Sequence, residues 1–279
     1  MRKRYDLSVS NDAKEMTADA GDELSSRLMG LHAHVLDRLG LALCSGELSA
    51  GSIMRIDELE QRYDVSRSVV REALRVLASM GMISSRRRVG VKVLPQSEWN
   101  LYDPQLIRWR LASPGRIAQL RSLTELRTAV EPEAARLAAI RAPLTGASEL
   151  MGLAGKLWAA GQEGDRERFL ELDVEFHRLV LTNSGNEMFG KLHTLVEEVL
   201  VGRTHYGLMP THPHVEALQF HVDVASAIQR GNPDDAQASM LRIMQRTFLE
   251  MSSIWEGGEA DAVSGTAGPL IRGGPKETA

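Results

Sequence analysis

Val65-Ser-Arg-Ser-Val-Val-Arg-Glu-Ala-Leu74 is the stretch on which the fold turns. Val69, Val70, Ala73, Leu74 and Leu77 recur at helical spacing, which predicts a helix running to about Met80 and stopped by Gly81. Ser66 stands where an N-cap belongs, so its hydroxyl can accept from an amide of the first turn. Upstream, Ile56, Leu59 and Tyr63 share one face of a shorter helix, and Asp64 and Val65 make the turn between the two. Two helices joined this tightly, the second polar at its front, form a helix-turn-helix whose second helix lies in a DNA major groove.

The charges support that reading. Ser66, Arg67, Ser68 and Arg71 cluster at the front of the second helix, with Arg67 and Arg71 one turn apart. An arginine fork can take guanine O6 and N7 together, or grip a phosphate. Between Ser66 and Pro95 the basic residues are Arg67, Arg71, Arg75, Arg86, Arg87, Arg88 and Lys92, against Glu72 as the one acid. The whole chain has a formal net charge of −4, so the basic patch is local and the remainder is acidic. A solvated helix with scattered arginines is the alternative, but turn, cap, charge and following segment all agree. That segment, Met82 to Leu94, has two alternating runs flanking Arg86 to Gly90, as in a β-hairpin. Beside a helix-turn-helix it is a wing, with Arg87, Arg88 and Gly90 at a tip that reaches the minor groove or backbone.

From Gly46-Glu-Leu-Ser-Ala-Gly51 through Val65–Ile83 to Gly90 and Val93, the sequence resembles the winged-helix domain of GntR-family regulators. The resemblance implies a DNA-binding regulator. It departs from the pattern at Asp57, where many relatives carry a DNA-contacting arginine, so no operator sequence is implied.

The rest of the chain is organised around this domain. With 279 residues, 43% apolar and only 5% aromatic, the chain is long enough for two cores and favours helices. One cysteine, Cys44, excludes a disulfide framework and suits a reducing cytoplasm, and Leu41 and Leu43 beside it mark it as a packing residue. No apolar run approaches the roughly 18 residues of a membrane span, and the start has no signal-peptide core. Residues 1–22 are patternless and expected to be disordered. The winged domain spans 23–95, opening with a helix from about Leu24 to Cys44. A junction over 96–114 holds a short helix from Pro104 to Leu111, capped by Asp103, and Trp99, Leu106, Ile107 and Trp109 make it too apolar for a free linker. It is expected to dock between the domains. It resembles the equivalent segment of aldonate-sensing members of the family.

Residues 115–254 show only helical periodicity. Helices are predicted near 116–140, 146–161, 165–183, 186–202, 213–230 and 233–254, joined by connections short enough for antiparallel packing. A disordered tail is expected over 255–279. The fold class is therefore mainly α: a winged helix-turn-helix followed by an all-helical bundle. The bundle resembles the FCD effector domain of the FadR subfamily through Glu125–Ala139, Asp173–Val180 with Gly185-Asn186, and His221–Met240.

Asp173 and His177 stand at i and i+4, and a carboxylate and an imidazole so placed can share a divalent metal such as zinc or simply bond each other. His221 can close the site from another helix. The resemblance implies a fourth ligand, a histidine, at the position of Ile243. It also implies that Arg127 faces the carboxylate of an effector, where the alternative is an exposed helix arginine. Asn186, Arg203 and Arg246 are further lining candidates. His193, His205, His212 and His214 have no partner spacing, and His212 and His214 are read as solvent-exposed. No catalytic residue is expected, because no base, nucleophile or phosphate-loop motif accompanies the pair. The expected function is a cytoplasmic, homodimeric repressor released from double-stranded operator DNA by a small carboxylate, a sugar acid of gluconate or galactonate type. The alternatives are lactate or a dicarboxylate as effector, a metal-dependent enzyme with a DNA-binding domain, or a constitutive architectural DNA binder.

Overall fold

The computed structural model describes residues 30–86, 90–208 and 213–264, with side chains to 252 in the last of these and to 85 in the first. The expectations for residues 1–22, the helix start near Leu24, Arg87, Arg88, His212 and the segment beyond 264 lie outside the described residues. The chain divides into two compact units, before and after Ser113–Pro114.

The first unit opens with α1 over 30–44. A short strand β1 (Ile53–Met54) leads to α2 (Ile56–Tyr63) and α3 (Arg67–Ser79), then to β2 (Ile83–Arg86) and β3 (Gly90–Val93). Val35, Leu36 and Leu39 of α1 share one core with Leu59, Val69, Val70, Ala73, Leu74 and Leu77, so the helical spacing in the sequence is the packing face. Strand β3 lies between β1 and β2, antiparallel to both, with Arg86 opposite Gly90. Gly90 has φ +114, and a Cβ there would sit 2.9 Å from Met54 O. Close approach of β1 thus explains this glycine without any nucleic acid.

The junction helix α4 (Pro104–Leu111) forms as the sequence predicts, with Asp103 accepting from the amides of Gln105 and Leu106. It packs within the first unit. Trp109 Nε1 donates to Asp37 Oδ1 at 3.0 Å, and the indole lies so close to Gly40 that a Cβ would meet it at 2.3 Å. Trp99 and Trp109 belong to the core of this unit, which accounts for the apolar content of the segment without a second domain. Cys44 is half-buried, and its thiol is pushed up to about 12, mainly by burial, which keeps it protonated and unreactive.

The second unit is helical throughout: α5 (Arg116–Arg141), α6 (Leu144–Glu163), α7 (Arg166–Asn183), α8 (Glu187–Lys191), α9 (His193–His205), α10 (Val215–Gln229) and α11 (Pro233–Ser264). Helix α5 packs on α7, α10 and α11, while α10 also packs on α6. Two boundaries differ from expectation. The helix predicted over 186–202 is broken at Leu192, whose amide bonds back to Phe189 O, while the His193 ring donates to Gly190 O at 2.6 Å. A ring that takes a backbone carbonyl competes with the helical ladder, so the chain tightens there. Helix α11 continues to Ser264, past the expected end at 254. The pair Gly257-Gly258 weakens a helix by about 1 kcal/mol each relative to Ala without forbidding it, and Glu259-Ala-Asp-Ala262 tolerates the conformation. Among the described residues no helix is long and apolar enough to cross a membrane.

Candidate functional site

Each unit presents one candidate site. In the first, α2 and α3 meet at Asp64, which adopts a left-handed conformation at φ 50. The apolar face of α3 is buried, so Ser66, Arg67, Ser68 and Arg71 stand exposed on the other face, as the spacing predicts. The Ser66 hydroxyl does not cap α3; it shares a hydrogen bond with Ser68 Oγ at 2.8 Å. The first-turn amides of α3 therefore keep their free donors, which suits a phosphate better than a self-capped helix does. Arg75 folds onto Glu72 at 2.6 Å, and Arg67 lies 4.0 Å from Glu60. No carboxylate among the described residues pairs with Arg71.

In the second unit, α5, α7, α9, α10 and α11 enclose a pocket. Helix α7 supplies Asp173 and His177, both buried, and α10 supplies His221. Donor atoms of the three lie within 4.8 Å of one another, so the trio proposed from sequence does converge. The His221 Nδ1 donates to Ala217 O at 2.7 Å, which leaves Nε2 facing Asp173 Oδ1 at 3.2 Å. On the other ring, His177 Nδ1 is ion-paired with Glu131 Oε2, and Nε2 lies 3.5 Å from Asp173 Oδ1. Each imidazole is thus oriented through Nδ1 and turns Nε2 toward the shared carboxylate, the arrangement that metal-binding histidines adopt. Two imidazole nitrogens and one carboxylate oxygen suit zinc or a similar divalent ion, so the residues fit a metal.

Arg127 of α5 is 2% exposed. Its Nε donates to Glu131 Oε1 at 2.5 Å, its Nη2 lies 3.4 Å from His177 Nε2, and its Nη1 has no partner. It is not a solvated helix arginine. Burial pushes the Glu131 carboxyl up, but Arg127 and His177 beside it outweigh burial and hold it at about 2. Burial pushes Asp173 up as well, and hydrogen bonds from His177 and His221 overcome this and hold it well below the usual carboxylate range. Burial lowers His177, and the carboxylates of Glu131 and Asp173 outweigh burial and raise it to about 9. A metal that takes Nε2 must therefore displace a proton.

Arg203 of α9 is 2% exposed, and its Nε also lacks a partner. Burial, and then the like charge of Arg127, lower it to about 10. Arg246 of α11 lines the pocket too, whereas Asn186 does not: its side chain caps α8, accepting from Met188 and Phe189 amides. That N-cap role follows from its place before a helix start. His214, expected in solvent, is exposed yet lies on the pocket rim, because it immediately precedes α10. Ile243 lines the pocket and offers no ligand atom. Sequence reasoning missed Glu131, Thr247 and Glu250. The i,i+4 spacing of Arg127 and Glu131, and the one-face spacing of Ile243, Thr247 and Glu250, were the available signals.

The comparisons with known proteins agree with both halves. The model described as bacterial regulatory proteins, gntR family, matches residues 31–93, and that of the FCD domain matches residues 122–246. Together they span about two thirds of the chain. An uncharacterized HTH-type transcriptional regulator, YieP, of Escherichia coli K12 is 29% identical over 72% of this chain and 86% of its own. The galactonate operon transcriptional repressor of the same organism is 27% identical over 77% of this chain and 94% of its own. Among solved structures, Lar, described as controlling the expression of the Listeria monocytogenes agr system, superposes with a TM-score of 0.51 at 15% identity, covering 80% of this chain and 97% of that one, a likeness of fold alone. A gntR-family domain over the helix-turn-helix and an FCD domain over the pocket-bearing bundle establish that this chain belongs to the GntR family of bacterial regulatory proteins.

Proposed function

We propose that this protein is a cytoplasmic, homodimeric transcriptional repressor that binds a short two-fold operator and leaves it when a sugar acid of galactonate or gluconate type occupies the helical pocket. One observation carries the effector reading: Arg127 Nη1 and Arg203 Nε are buried donors without partners at a pocket that also holds Asp173, His177 and His221. Leaving such donors unsatisfied is costly, and a ligand carboxylate satisfies them through charge-assisted hydrogen bonds. The similarity to a galactonate operon repressor favours a sugar acid among the small carboxylates.

Asp173, His177 and His221 would hold a divalent metal, with Glu131 and Ala217 O fixing the two rings. When bound, the ion offers coordination positions to ligand oxygens. Arg127 positions the acid, and Phe169, Leu200 and Ile243 supply the apolar part of the lining. Exposed Ser66, Arg67, Ser68 and Arg71 read and grip DNA, and a dimer doubles a contact too short for selectivity in one copy.

Thermal melting of the full chain against aldonates, lactate and dicarboxylates, with and without chelator, tests the reading. Selective binding stabilises by mass action, so an aldonate that raises the melting temperature, and does so less after chelation, supports it. No shift with any small acid removes the sensor. Metal content of protein purified without chelator should fall in His177→Ala, and equal content in both proteins argues against the metal.

A further inference from the structure

Three arginines, Arg127, Arg203 and Arg246, converge on the pocket, which on charge alone would favour a ligand with two or more carboxylates. One lining residue opposes that choice. Glu250 of α11 sits between two of the arginines, with Oε1 accepting from Arg246 Nε at 3.1 Å and Oε2 from Arg203 Nη2 at 3.4 Å. It is well shielded, its side chain 21% exposed. Each of its oxygens keeps acceptor capacity beyond the single arginine bond it makes. The lining therefore carries two unlike sets of groups. Near Asp173 and His177 the spare groups are donors, above all Arg127 Nη1. Near Glu250 and Thr247 a carboxylate acceptor stands beside arginine N–H groups and a hydroxyl.

We infer that Glu250 is a specificity-determining residue, selecting a ligand with one carboxylate and a hydroxyl-bearing tail over one with a carboxylate at both ends. This rests on the sugar-acid reading above. A hydroxyl can donate to Glu250 and accept from Arg246 at once. A second carboxylate has no proton for Glu250 and meets its like charge in a partly desolvated space, where such repulsion is strong. Thr247 and Glu250, one turn apart on α11, thus read the hydroxyl-bearing part of the ligand.

Galactonate and galactarate differ only at the far carbon, a primary alcohol in one and a carboxylate in the other. Titration calorimetry of the full chain with each acid tests the inference. Wild type should bind the aldonate at least about tenfold more tightly, which is about 1.4 kcal/mol. Glu250→Gln should narrow that ratio about fivefold or more, chiefly by tightening the aldarate. Equal affinities in wild type overturn the inference, and so does a Glu250→Gln variant that weakens both acids alike, since that outcome makes Glu250 only a brace for the arginines. Should Glu250→Gln fail to fold, Glu250→Asp withdraws the carboxylate by one methylene and should relax the ratio in the same direction; an unchanged ratio there overturns it. If neither sugar acid binds while lactate or malonate does, the sugar-acid reading falls and this inference falls with it.

Discussion

The two units use the same residue type in opposite surroundings. Arg67 and Arg71 of α3 are exposed, on a face whose other side is packed into the first core. Arg127 and Arg203 are 2% exposed and set among helices, the first held by the buried Glu131 and the second by the partly buried Glu250. An exposed guanidinium is held loosely, contributes little to stability and acts through a partner that brings its own negative charge. A buried guanidinium is part of the fold, and a spare N–H on it is a standing demand for a ligand. Mutations in the first unit should therefore alter binding and leave folding alone, whereas mutations in the second should alter both.

The largest effect is expected at Glu131. It is 1% exposed and is the shared counter-ion of Arg127 and His177. Replacing it with Gln leaves Arg127 buried without its carboxylate and His177 with Asp173 alone, which should destabilise the protein by about 3–5 kcal/mol in denaturant unfolding. A loss under about 1 kcal/mol would show that the pair is not buried in solution. By contrast, Arg67→Ala and Arg71→Ala should each weaken operator binding by about 1–3 kcal/mol while stability stays within about 0.5 kcal/mol of wild type. Two variants that bind DNA like wild type would remove α3 from the groove.

A more specific effect is set by pH. His177 is raised from its ordinary 6.5 to about 9 in the metal-free pocket, because Glu131 and Asp173 favour the imidazolium more than burial disfavours it. A folded-state value above the unfolded one means more protons bound in the folded state. The stabilisation is full below pH 6.5 and is lost as pH rises through about 9. Unfolding of chelated protein should show a loss of up to about 3 kcal/mol across that window, absent in His177→Gln. A profile that His177→Gln leaves unchanged would assign the titration to another group.

The same contrast explains what the sequence made legible. The proposed DNA-binding face is local: the turn, Arg67 and Arg71 lie within about two helical turns, so spacing alone places them on one surface. Asp173 and His177 were legible for that reason too. The pocket as a whole was not, because its walls come from five helices and contacts such as Glu250 with Arg203 join residues far apart in the chain. Glu131 could have been read from its distance of four residues from Arg127, but nothing local says that this pair is buried instead of solvated. Asn186 misled for a related reason: an Asn beside a glycine suits a helix cap and a pocket equally well in a sequence. Trp99 and Trp109 signalled a buried segment correctly, and only the structure shows their partners, Leu94 O for Trp99 and Asp37 of α1 for Trp109.

The most direct test is operator binding by the full chain, followed by fluorescence anisotropy on a fragment that the protein itself selects from random DNA, with galactonate or gluconate added to saturation. If the ligand favours one arrangement of the dimer, operator affinity should fall about 5- to 150-fold, and Arg127→Ala should bind the operator yet lose the response. Unchanged operator affinity in wild type, with the acid shown by calorimetry to be bound, would contradict the regulatory link between pocket and DNA, since a ligand with equal affinity for both states shifts nothing.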